Sequence, residues 1–153
     1  MKHFLFYVWN LWPPFMGAGI TIHFVSKDML FARTRLKSRF WTRNLVGTQF
    51  GGSIYAMTDP IYMAMLVNKL GPDYVVWDKS STVRFRKPGR TDLWAEFQLS
   101  LSDIEDIKNE LKTSEKVDWE RDVLVKNSNG ETVAEVHKVI HVSNRRPKAT
   151  LET

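Results

Sequence analysis

Between residues 92 and 101 every second side chain is apolar. Leu93, Ala95, Phe97, Leu99 and Leu101 fall on one face and polar residues on the other, the pattern of a half-buried β-strand. Residues 74–87 open with an apolar cluster, Tyr74 to Trp77, and end in strict alternation, with Val83 and Phe85 opposed to Arg84 and Arg86. Further along, Val117, Trp119, Arg121, Val123 and Val125 predict a fifth strand. Ala134, Val136, Ile140 and Val142 predict a sixth, whose apolar face Lys138 interrupts. Asn129–Gly130 between these two predicts a tight hairpin turn of the primed type. Residues 18–26 and 29–37 form a first hairpin around Lys27–Asp28.

Residues 51–70 follow another rule. After Gly51–Gly52, apolar residues from Ile54 to Leu70 lie on every side of a helix, and a helix apolar all round is a buried central one. Gly71–Pro72 stops it. Ser102 with Glu105 reads as a capping box opening a short helix whose buried stripe is Ile104, Ile107 and Leu111. At the start, residues 1–13 predict a short aromatic helix ended by Pro13, and the basic segment 144–153 is expected to fray. The order is helix, two strands, long helix, two strands, short helix, two strands. It predicts one α+β domain over 1–153, an antiparallel six-stranded sheet wrapped around a central helix.

Composition narrows the chemistry. The chain has 153 residues, 43% hydrophobic and 25% charged, enough for a sizeable core without staples. It has no cysteine, which removes disulfides, thiol nucleophiles and cysteine metal sites and suits a reducing, cytoplasmic setting. The apolar run at Phe4–Val8 is interrupted by Asn10 and Pro13–Pro14. It is far short of the ~20 residues a membrane span needs, so no span is expected. His3, His23, His137 and His141 lack metal-ligand spacing, so no metal is expected. The net charge of +5 suits an anionic partner. No strand pair combines basic and aromatic residues into a platform, so nucleic acid is not the expected one. There is no Gly-x-Ser-x-Gly elbow and no phosphate loop. Asp78 and Glu96 are expected to pair with lysine or arginine rather than to catalyse.

The segment richest in chemistry reads Asn44-Leu-Val-Gly-Thr-Gln-Phe-Gly-Gly-Ser-Ile-Tyr-Ala-Met-Thr-Asp59. Glycines at a helix start let a ligand approach the backbone, and the free N–H groups there can polarise a carbonyl. Asp59 is an acid in an apolar helix, which is costly unless it is bonded or used. Two readings of it stand side by side: a catalytic carboxylate, or an N-cap before Pro60 that restarts a broken helix. Asn44 alone reads as a turn residue. Gly51 and Asp59 are eight residues apart, ~12 Å along a straight helix, too far for one thioester to touch both. If both serve one reaction, they come from different subunits across a two-fold axis, which predicts a homo-oligomer.

This segment resembles the helix-start motif of the phenylacetyl-CoA-thioesterase-like branch of the hotdog superfamily, with Asn44, Gly51, Gly52 and Asp59 at matching spacing. Val76-Trp-Asp-Lys79 and Phe85-Arg-Lys-Pro-Gly89 are similar to blocks of a less characterised bacterial branch, and the resemblance runs from about Pro13 to Val142. It implies a hotdog fold, an acyl-CoA substrate, coenzyme A only as part of that substrate with no other cofactor, and a dimer or dimer of dimers. It implies Asp59 as general base or nucleophile, the Gly51 N–H as oxyanion donor and Asn44 as positioner. Phe50, Gly52 and Thr48 would line the substrate site. The chain departs from the motif at Phe50, where many relatives carry histidine. That argues against a dehydratase and leaves a second reading, a module that binds an acyl thioester without cleaving it. Lys79, Arg84, Arg86, Lys87 and Arg90 would clamp the phosphates of coenzyme A, or else form a solvated, charge-protected strand edge.

Overall fold

A computed structural model describes residues 3–145; the tail expected to fray lies, from residue 146, outside the described residues. Six strands form one antiparallel sheet in the order β1-β2-β4-β5-β6-β3. They are β1 (Ile20–Val25), β2 (Phe31–Leu36), β3 (Tyr74–Phe85), β4 (Leu93–Gln98), β5 (Lys116–Asn127) and β6 (Thr132–Asn144). The alternating apolar residues of β2, β4, β5 and β6 bury on one side, joined by Ile20, Ile22 and Val25 of β1, whereas no residue of β3 is fully buried. There they meet the central helix, which is in two pieces: α2 (Gly51–Ala56) and α3 (Asp59–Leu70). Ile61, Tyr62, Ala64, Met65, Leu66 and Leu70 of α3 are all buried, as a helix without a polar stripe requires. This is the hotdog fold.

The break between α2 and α3 follows from one residue. Pro60 has no N–H for the Ala56 carbonyl, and its ring clashes with the preceding turn. Side chains reach the carbonyls on either side of Ala56. The Thr58 hydroxyl donates to the Tyr55 carbonyl at 2.8 Å, and the buried Thr34 of β2 donates to the Met57 carbonyl at 3.2 Å. Asp59 is therefore not an N-cap: Thr58 holds that position, and Asp59 opens α3 with no capping bond.

Several local expectations are corrected. The aromatic helix expected before Pro13 is a 3₁₀ segment, His3–Leu11, that stops at Leu11, and Pro13 also starts a helix. That helix, α1 (Pro13–Ala18), begins at the proline, whose fixed φ suits a first helical turn. The Asn129–Gly130 turn is not primed. Asn129 has no positive φ; the Gly130 N–H closes a turn on the Asn127 carbonyl at 3.0 Å, and Gly130 sits at φ 81. The connection is a three-residue loop with a glycine bulge. At its far end β6 continues through Asn144, and the Arg145 N–H bonds the Asp73 carbonyl at 2.8 Å, so 144 and 145 belong to the ordered body.

The capping box of α4 (Leu101–Glu110) is also two residues earlier than expected. Ser100 Oγ accepts from the Asp103 N–H at 3.0 Å, and the Asp103 carboxylate accepts from the Ser100 N–H at 2.8 Å. Ser102 and Glu105 lie inside the helix. Ile104, Ile107 and Leu111 are buried as the spacing predicts. Ser100→Ala removes that cap and should cost about 1 kcal/mol, whereas Ser102→Ala should cost little. Urea denaturation of the two variants side by side measures the difference.

The two sheet edges differ. Along β1, Asn10 from the 3₁₀ segment uses its side-chain amide as a strand would: Oδ1 accepts from the Ile22 N–H at 2.6 Å and Nδ2 donates to the Ile22 carbonyl at 3.2 Å. Tyr7 Oη accepts from the Val25 N–H. β3, at the other edge, pairs only with β6. Among the described residues no helix is long and apolar enough to cross a membrane.

Candidate active site

Two groups of side chains meet near the central helix. The first surrounds the start of α2, where a cavity of about 460 Å³ is lined by Asn44, Thr48, Gln49, Gly51, Phe85, Arg86 and Lys87 among others. That size is within the ~300–1,000 Å³ of ligand sites. The Gly51 and Gly52 N–H groups make no hydrogen bond among the described residues, as the first turn of a helix leaves them. Exposed aromatic rings lie close over both glycines. A methyl on Gly51 would stand 2.9 Å from Phe85 Cζ, and one on Gly52 would run into the Phe50 ring. Phe50 itself is 58% exposed and faces away from the cavity lining.

Asn44 is committed to its own loop. Its Oδ1 accepts from the Val46 and Thr48 N–H groups, each at 3.1 Å, and its Nδ2 donates to Thr48 Oγ1 at 2.9 Å. That geometry shapes the cavity wall. Gln49 was not singled out by sequence. It is buried, its Nε2 reaches the Thr91 carbonyl at 3.3 Å, and its Oε1 is a buried acceptor with no donor. An apolar neighbourhood in the sequence gave no cue to it.

The five expected cations are not brought to one place. Arg86 and Lys87 flank the cavity, paired to Glu135 and Glu131, each at 2.6 Å. Lys79 pairs with Asp118. Arg84 lies in a separate depression with Asp122, Glu135 and His137, and Arg90 is exposed near Gly47. Glu96 pairs with Arg33, as expected of a structural acid.

The second group is built on the break in the central helix. Asp59 Oδ1 accepts from Tyr55 Oη at 2.8 Å, one turn earlier, and lies 3.3 Å from Lys138 Nζ; no hydrogen bond among the described residues reaches its Oδ2. The Asp59 side chain is 42% exposed, whereas Lys138 is wholly buried. Lys138 Nζ also donates to the Asp59 carbonyl at 3.1 Å and stands 2.6 Å from Asp78 Oδ1. The last contact supplies Asp78 with both a close donor and a counter-charge. Burial pushes the Asp78 carboxyl up, with Lys138 pulling the other way. Burial and the bond to Asp59 raise the Tyr55 phenol, which stays a donor. The sequence cue to this cluster was Lys138 itself, a cation on the apolar face of β6.

The family model described as a domain of unknown function, DUF4442, matches residues 1–142. The chain belongs to the DUF4442 family. This DUF4442 chain is similar in structure to a Pseudomonas aeruginosa protein of unknown function described as a probable thioesterase. The two are 17% identical over 95% of this chain and 97% of the other, with a TM-score of 0.83. A thioesterase from Haemophilus influenzae superposes with a TM-score of 0.70 at 12% identity, over 97% of this chain and 95% of the other. The PaaI protein of the E. coli phenylacetic acid degradation operon gives 0.61 at 16% identity, over 91% and 88%. No curated protein matches the DUF4442 chain by sequence.

Proposed function

We propose that this protein hydrolyses acyl-CoA thioesters at a site shared by two copies of the chain. The observation that carries the reading is Asp59: a carboxylate half in solvent, anchored through one oxygen to Tyr55 and Lys138, with the other oxygen free. In this reading Oδ2 takes a proton from water as the oxygen adds to the thioester carbon. The carbonyl oxygen, now negative, is held by the free Gly51 N–H of the second copy. Collapse breaks the C–S bond, and the proton on Asp59 passes to the departing thiolate of coenzyme A. If Oδ2 attacks the carbon itself, an acyl-carboxyl anhydride forms and water then cleaves it; a single turnover in ¹⁸O-water labels Asp59 only by that route.

The surroundings support the same reading. Phe40, Trp41, Leu45, Val46, Phe50 and Phe85, all exposed, crowd the approach to α2, where a second copy would cover them. An apolar groove between the N-terminal segment and α3, lined by Trp9, Trp12, Met63 and by Pro60, the residue after Asp59, suits an acyl chain. In the cavity at α2, the orphaned Gln49 Oε1 offers an acceptor for an amide N–H of the pantetheine arm. Arg86 and Lys87 stand at its edge in exposed ion pairs, each worth at most ~1 kcal/mol and so readily exchanged for phosphate.

The test is thiol release from short, aromatic and long acyl-CoAs by purified protein, with its mass in solution measured alongside. Release by a dimer or tetramer supports the proposal; a monomer that releases nothing overturns it. Phe50 supports one alternative, a module that binds an acyl thioester without cleaving it, because its ring donates no hydrogen bond. Tight binding without release would favour that. The clamp has its own test. Arg86→Ala with Lys87→Ala should raise KM for acyl-CoA about 10-fold and leave KM for the matching N-acetylcysteamine thioester, which has no phosphates, unchanged.

A further inference from the structure

We propose that Lys138 and Asp78 are positioning residues for Asp59: Lys138 fixes the carboxylate with one oxygen free, and Asp78 balances the charge of the buried Lys138. The inference rests on Asp59 acting as the base or nucleophile.

Alternation along β6 asks for an apolar residue at 138, between Val136 and Ile140, both fully buried. Burying an ammonium there costs several kcal/mol that a methionine would not. A lysine has three N–H donors, and three oxygens surround Nζ: the Asp59 carbonyl at 3.1 Å, Asp59 Oδ1 at 3.3 Å and Asp78 Oδ1 at 2.6 Å. The Tyr55 ring covers another side, 5.6 Å from Nζ. Two of those three oxygens belong to Asp59, so the ammonium grips one residue by its backbone and its side chain. With Tyr55 on the same Oδ1, the carboxylate cannot rotate without losing both partners.

The charges add in a specific way. Asp59, Lys138 and Asp78 sum to one negative charge. Asp78 is the nearer acid to Lys138 and only 18% exposed, so the neutral pair is Lys138 with Asp78 and the surplus charge rests on the more exposed Asp59. With Asp78 in place, Asp59 is not the sole counter-ion of the buried lysine. Asp78 is aimed inward by a bulge in β3: Asp78 pairs with Ile140 and Ser80 with Val139, leaving Lys79 as the extra residue. Tyr55 of α2, Asp78 of β3 and Lys138 of β6 are the titratable groups that face Asp59.

The experiment follows the Asp59 carboxyl by ¹³C NMR, its signal identified by its loss in Asp59→Asn, together with the pH profile of kcat/KM on acyl-CoA. Asp78→Asn leaves Lys138 with Asp59 alone; the Asp59 titration and the acid limb of the profile should both move to lower pH. Lys138→Met combined with Asp78→Asn removes a neutral pair. The titration should then stay close to its original place while kcat falls and KM holds, because the grip is lost and the charge is not. An Asp59 titration that Asp78→Asn leaves unmoved overturns the inference. Absence of any hydrolysis by the wild-type protein would end the thioesterase reading, yet the carboxyl titration would still decide this one.

Discussion

Asp59→Asn should lower kcat by about 10²–10⁴-fold on any acyl-CoA the protein hydrolyses, with KM nearly unchanged. Asparagine keeps the shape and leaves an oxygen to accept from Tyr55, so the bonds from Thr34 and Thr58 at the break between α2 and α3 stay in place. Lys138 keeps Asp78, its nearer partner, so the variant should melt close to the wild type. What is lost is a group able to take a proton from water. Steady-state thiol release with a parallel thermal melt separates the two effects. Hydrolysis that survives at the wild-type rate would remove Asp59 from the reaction. If both proteins bind acyl-CoA tightly and release nothing, the binding-module alternative holds instead.

Lys138→Ala should be the most destabilising single change in the cluster, at ~3–5 kcal/mol, because it leaves Asp78 buried without its counter-charge. For a domain whose whole stability is ~5–15 kcal/mol, that is a melting shift on the order of 10 °C. The loss should depend on pH. Burial already holds the folded Asp78 carboxyl above its ordinary value, with Lys138 opposing. A group raised on folding contributes its stability fully below its unfolded pKa and loses it as pH rises through the folded one. Without Lys138 the folded value climbs further, so the variant should be closest to wild type in mild acid and fall behind as pH rises through neutrality. Lys138→Met with Asp78→Asn should recover most of the loss, since both charges go together. Denaturant midpoints between pH 4 and 8 would show it, and a pH-independent deficit would refute the electrostatic account.

The elements that the sequence revealed are those where one local rule governs. Period-two alternation in β4 and β5 and the all-apolar run of α3 placed the sheet and its central helix, because burial on one face leaves little else possible. Boundaries decided by competing local signals came out differently. Ser100 and Ser102 both precede an acid at the right spacing, and only the backbone shows which one caps. Pro13 can end one helix or begin the next, and it stands between two and opens the second. The Asp59 cluster was illegible for another reason. Lys138 stood out as an interruption, yet Asp59 and Asp78 lie far from it in the chain, and register alone sets Asp78 beside Ile140, two residues from Lys138. Asn44 matched the motif by spacing, but its side-chain bonds are all spent on its own loop.

The unequal edges of the sheet limit how these molecules can assemble. Asn10 and Tyr7 occupy backbone positions on β1 that another strand would need, while among the described residues no strand pairs with the outer side of β3. A particle with one sealed flank and one receptive flank has a valency of one for strand addition. Edge-to-edge growth through β3 alone would end at a pair. Replacing Asn10 alone would leave Tyr7 on the Val25 N–H, so opening that flank takes both residues.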